Sequence, residues 1–233
     1  MRCAVTFHVL LHTNKRARLL RLGHPHVGVG GQFDLNYHGS RKSNEQVRPF
    51  LVEQLGLSRG QIVDAISIRE RPAEVEDRAI PGHWEGDLLS GAKNSYIATL
   101  VERHSRFAML LKVPSKETEA VVAALSQHVR KLPATLKRSL TWDRGLEMAK
   151  HKDFTVATNV QVYFCDPQSP WQRGTNENTN LLLRQYFPRG TDLSAYSQAQ
   201  LDQVALRLNQ RPRKTLEFQT PASRLQQSVA STI

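Results

Sequence analysis

His83-Trp84-Glu85-Gly86-Asp87-Leu88-Leu89-Ser90-Gly91 reads as a β-strand running into a turn. Pro81-Gly82 punctuates its start, and Ser90-Gly91 its end. Residues 95–101 and 106–113 are also rich in β-formers and follow after short polar breaks, so three strands form an antiparallel meander. The period then changes. Thr118, Val121, Val122, Leu125, Val129 and Leu132 recur at helical spacing, with Ser115 as the expected N-cap and Pro133 as the stop. Residues 138–142 form a fourth strand leading into Asp143. A short helical segment at 146–154, a fifth strand at 160–165 and a helix from 175 to about 186 complete the series. The tail carries one more helix, opened by a capping box of Ser197 and Gln200 and striped by Leu201, Val204, Ala205 and Leu208. The order βββαβαβα predicts an α/β fold, a mixed five-stranded sheet flanked by helices with a helical C-terminal tail.

Residues 1–60 are poorly defined by pattern. They hold a basic cluster (Lys15, Arg16, Arg18, Arg21), a His24-Pro25-His26 pair without further metal-ligand spacing, and a short helix expected over 44–57. Residues 61–80 mix charges around Pro72 and read as a linker or arm, with Val63, Ile66 and Ile68 as its candidate core contacts. Residues 81–190 form the main domain and 191–233 a helical extension.

The 233 residues carry a formal net charge of +11 and a pI near 10.0. Such a balance points to a polyanionic partner, because each Lys or Arg meeting a phosphate releases a counterion; a merely basic housekeeping protein is the alternative. The two cysteines, Cys3 and Cys165, form neither a disulfide framework nor a zinc motif. Residues 1–11 lack a small-residue cleavage site and basic residues follow at once, so the expectation is a cytoplasmic protein with no membrane association.

Three carboxylates carry the chemistry. Asp87 lies near the end of the first strand of the meander, Asp143 follows the fourth strand, and Glu177 opens a helix. Ligands of such sheets gather at strand carboxyl ends. Mg²⁺ or Mn²⁺ takes hard oxygen ligands, and two ions about 3.5–4 Å apart serve phosphoryl transfer. Asp87 is expected to bridge both ions, with Asp143 on one and Glu177 on the other. Singly, each is equally well read as a turn residue, a cap or a helix-dipole partner. Glu177, Asn180, Leu181 and Arg184 share one helical face, opposite Leu182, Leu183 and Tyr186. Arg173, Asn176, Asn180 and Arg184 are the candidate DNA contacts, Arg184 being equally readable as a solvated surface residue. Glu85 reads as a neighbour that tunes the site, Glu147 as helix surface and His83 as a polar turn residue.

These segments resemble a known family. Residues 70–78 (Glu-Arg-Pro-Ala-Glu-Val-Glu-Asp-Arg), 81–87, Thr141-Trp142-Asp143-Arg144-Gly145, 162–167, and Ser169-Pro170-Trp171-Gln172-Arg173-Gly174-Thr175-Asn176-Glu177-Asn178 resemble the insertion-sequence-thirty family of bacterial transposases, as do residues 211–216. The resemblance covers roughly residues 60–225. It implies a ribonuclease H-like fold of the retroviral-integrase kind and an Asp-Asp-Glu triad whose last two members are 33 residues apart, as Asp143 and Glu177 are. It implies a transposase that cleaves insertion-sequence ends and joins the freed 3′-hydroxyl to target DNA, with Mg²⁺ or Mn²⁺, working as a homo-oligomer on DNA. The chain departs from the family at Leu146, Leu181 and Glu217, and residues 1–60 lack the upstream helix-turn-helix pattern. A truncated or frame-shifted copy is therefore expected, and a DNA-binding remnant or a simple ribonuclease H-like nuclease is the alternative function.

Overall fold

The structure, a computed structural model, describes residues 62–76 and 78–230, together with the backbone of two short strands nearer the N-terminus. Residues 1–60 and 61–233 form two compact units. In the first, β1 (Val9–His12) and β2 (Arg16–Leu19) pair antiparallel. His24, His26 and the helix expected over 44–57 lie outside the described residues.

In the second unit, β3 (His83–Ser90), β4 (Tyr96–Glu102) and β5 (Ala108–Val113) form the expected meander. Helix α1 (Thr118–Val129) leads to β6 (Ser139–Trp142), α2 (His151–Thr158) to β7 (Gln161–Phe164), and α3 (Gly174–Leu183) follows. The tail holds α4 (Gln198–Asn209) and α5 (Pro221–Ala230), the latter unforeseen. The sheet runs β5-β4-β3-β6-β7, with β6 parallel to both β3 and β7. This is the mixed five-stranded sheet flanked by helices that the element order predicts.

Alternation along the strands sorts side chains into two cores. On one face, Trp84, Leu100, Leu111, Leu140 and Trp142 pack with Val121 and Leu125 of α1 and Phe154 of α2. On the other, Leu89, Ile97, Val101 and Leu110 pack with Leu183 of α3 and Leu201, Ala205 and Leu208 of α4. Glu85 and Asp87 fall on this second face, beneath α3. Gly86 falls on the first face, where a Cβ would sit 2.3 Å from Trp142 Cζ3. Only glycine lets the indole lie against β3 at this point.

Local expectations shift in three places. Ser115 does not occupy the α1 N-cap; Glu117 does, and the Ser115 hydroxyl accepts from the Glu117 amide instead. Residues 146–154 divide into a 3₁₀ turn (Leu146–Met148) and α2, because Gly145 and the turn hold the chain back from α-helix. The segment expected as a charged linker packs onto the sheet edge. Ser67 bridges to Phe164, and Phe164 N donates to Ile66 O at 2.8 Å. Ile62, Ile68, Arg71 and Val75 are buried, whereas Val63 is exposed. Its few apolar residues are separated by charges and carry no period. Among the described residues, no helix is long and apolar enough to cross a membrane.

Candidate active site

Two adjacent parallel strands set the position of the first two carboxylates. Glu85 of β3 pairs in register with Thr141 of β6. Asp87 lies two residues further along β3, and Asp143 is the first residue past the end of β6. Local bonds hold each in place: Leu88 N donates to Asp87 Oδ1 at 2.9 Å, and Gly145 N to Asp143 Oδ1 at 2.9 Å. One guanidinium spans the pair. Arg173 Nη1 lies 3.4 Å from Asp87 Oδ1 and Nη2 lies 3.2 Å from Asp143 Oδ2. Arg173 Nη1 also donates to the Gly86 carbonyl at 2.8 Å.

Helix α3 is bolted over β3 by asparagines at helical spacing. Asn176 N donates to Glu85 Oε2 at 2.9 Å, and its side-chain amide donates to Glu85 O and Thr99 O. One turn on, Asn180 Nδ2 donates to Asp87 Oδ2 at 3.0 Å. Glu177 sits between them in sequence, half-buried on the same helix. Beneath, Glu85 is fully buried and paired with the buried Arg103. Glu85 thus tethers the helix that carries Glu177 to the strand that carries Asp87.

The expected DNA contacts are placed differently from one another. Arg173 is buried against the two aspartates, and Asn176 is fully buried with both ends of its amide bonded to protein. Neither faces solvent, because the polar groups beneath α3 draw both inward. Asn180 is partly buried on Asp87. Arg184 donates to Ser90 O at 3.2 Å, joining the end of α3 to the end of β3.

Glu147 is the residue that sequence reasoning overlooked. Expected on a helix surface, it instead accepts from Trp142 Nε1 at 3.0 Å and lies close over Gly145. The 3₁₀ turn removes the α-helical spacing on which that expectation rested; the indole five residues before it was the available signal. Burial raises its carboxyl above the ordinary range against the Trp142 hydrogen bond, and the charges of Asp143 and Asp87 add to the rise. Burial likewise raises Asp87, with Arg173 opposing and Asp143 adding. For Arg173, burial works against the charge, but Asp87 and Asp143 outweigh it and hold the guanidinium above its usual range. His83 stands in β3 rather than in a turn, buried against Ser139 at the strand's opposite end from Asp87.

The donor set suits a hard divalent cation. Asp87 and Asp143 offer partly exposed carboxylates, and Asn180 Oδ1 is a buried acceptor without a partner. Among the described residues, no three His, Cys, Asp or Glu side chains are grouped closely enough to hold a metal. Arg173 supplies the positive charge between the two aspartates in that arrangement.

Residues 77–170 match the family described as Integrase core domain. Over 171 residues the chain is 56% identical to "Transposase InsI for insertion sequence element IS30C" of Escherichia coli (strain K12). Over most of its described length this chain is similar to IS30-type transposases. That alignment covers 73% of this chain and 45% of the relative. The "Transposase for insertion sequence element IS1086" of Cupriavidus metallidurans is 55% identical over 174 residues, 74% of this chain and 51% of that protein. The chain therefore spans about half the length of the curated relatives it matches. A solved catalytic core of BIV integrase superposes with a TM-score of 0.49 at 17% identity, covering 65% of this chain and 99% of that one.

Proposed function

We propose that this chain forms the catalytic part of a transposase, which cleaves DNA at insertion-sequence ends and transfers the strand to target DNA. The observation that supports this reading is the pair Asp87 and Asp143, both reached by the Arg173 guanidinium, with Asp87 bonded to Asn180 of the helix that bears Glu177. In this reading Asp87, Asp143 and Glu177 hold Mg²⁺ or Mn²⁺, two ions in the working site. Bound there, the ions would activate an attacking oxygen and stabilise a leaving one.

The chain's own groups prepare that site. The Asn180 amide and the Leu88 amide orient the Asp87 carboxylate, and the Gly145 amide orients that of Asp143. Glu85, through Asn176, keeps α3, the helix that carries Glu177, seated on β3. The +11 charge supports a DNA substrate, and the protein would work as a homo-oligomer on it in the cytoplasm. Residues 81–190 form the catalytic core, with 191–233 as an extension braced on it through α4.

An end-cleavage and strand-transfer assay with Mn²⁺ tests the reading. Asp143→Asn keeps the shape and removes the charge, and it is expected to abolish both products. Cleavage that survives this change overturns the assignment; cleavage without any joining reduces the function to that of a nuclease.

A further inference from the structure

We propose that Arg173 is a tethered counter-ion, which neutralises the Asp87–Asp143 pair in the absence of a divalent ion and is displaced when one binds. The inference rests on the proposed metal-holding role of those aspartates.

Four observations converge on it. The guanidinium reaches both carboxylates at once, one nitrogen to each. It does so while only 7% exposed and with its Nε lacking any partner, so the carboxylates draw it in at the cost of an unsatisfied donor. The cage is open on one side: the Asp143 side chain is 40% exposed, giving a small ion access from solvent. The residue also stands at a junction between elements: Arg173 ends a 3₁₀ turn (Pro170–Arg173) and is the N-cap of α3.

The competition is electrostatic. Two carboxylates close enough to share one guanidinium repel unless a cation lies between them. A monovalent guanidinium and a divalent ion cannot share that position, so metal entry carries the free-energy cost of releasing Arg173. Arginine's planar fork fits the two-carboxylate geometry; a lysine ammonium does not.

Calorimetric titration of Mn²⁺ into the full chain, without DNA, tests this. Arg173→Gln is expected to bind Mn²⁺ about tenfold more tightly than the wild type, the scale of one lost charge-assisted hydrogen bond. Arg173→Lys, which keeps the charge but not the fork and perturbs folding least, should fall between the two. In a second readout, metal-free Arg173→Gln should melt below the wild type and gain more melting temperature from Mn²⁺ than the wild type does. Equal or weaker Mn²⁺ binding by Arg173→Lys and Arg173→Gln overturns the inference. The wild type and Asp143→Asn separate this from failure of the site itself. Mn²⁺ binding lost in Asp143→Asn but unaffected at Arg173 leaves the metal site standing and removes only the counter-ion. An absence of Mn²⁺ binding by the wild type and by both Arg173 variants removes both.

Discussion

Replacing Glu85 by alanine should unseat α3 as well as weaken the fold. Glu85 has no solvent-exposed side-chain surface and Arg103 very little. Deleting the carboxylate leaves a buried guanidinium uncompensated, a loss of about 3–5 kcal/mol. The Asn176 amide, which donates to Glu85 Oε2 at 2.9 Å, loses its acceptor in the same step. For a unit spanning residues 61–233, that loss lowers the melting temperature by roughly 6–20 °C, at about 2–4 °C per kcal/mol. Thermal unfolding followed by circular dichroism measures it. Assayed well below the new melting point, cleavage should fall further than the unfolded fraction explains, because α3, which carries Glu177, loses its tether to β3. A double variant, Glu85→Leu with Arg103→Met, should recover most of the stability, since an apolar pair of similar volume can replace a buried ion pair. A loss below about 1 kcal/mol in Glu85→Ala would refute the reasoning, as would failure of the double variant to recover any.

Two further changes probe the frame around the site. Gly86→Ala places a methyl group 2.3 Å from the Trp142 ring, so it should cost about 1–3 kcal/mol and disturb Asp143 one residue beyond; chemical denaturation measures this. His83 is held at a pKa of about 4, first by burial and then by the charges of Arg138, Arg103 and Arg71. The unfolded chain therefore takes up a proton near the ordinary value of 6.5 that the folded chain refuses. Stability should fall as pH drops from 6.5 towards 4, by about 3 kcal/mol at most, and that part of the slope should be absent in His83→Gln.

Much of the architecture was legible because the core-forming segments are periodic. The runs of β-formers in β3 to β5 and the 3.6-residue stripe of α1 are signals that pattern reading detects directly. Asp143 lies just past the end of β6 as expected, whereas Asp87 stands mid-strand in β3, which runs on to Ser90; Arg173 reaches both. What escaped was set by contacts distant in sequence. Ile62, Ile68 and Val75 lie among charges, and their burial comes from packing against elements distant in sequence. Arg173 and Asn176 read as surface groups for DNA because their partners, Asp87, Asp143, Glu85 and Thr99, are more than 25 residues away. Glu147 was misplaced because a 3₁₀ turn replaced the α-helical spacing assumed for it.

A Mn²⁺ anomalous-scattering map from crystals of this chain tests the central claim most directly. The account predicts a peak between Asp87 and Asp143, within coordination distance of both, with Glu177 turned towards the ions and the Arg173 guanidinium moved out. A crystal saturated with Mn²⁺ that shows no peak there, with Arg173 still spanning the two aspartates, would contradict it.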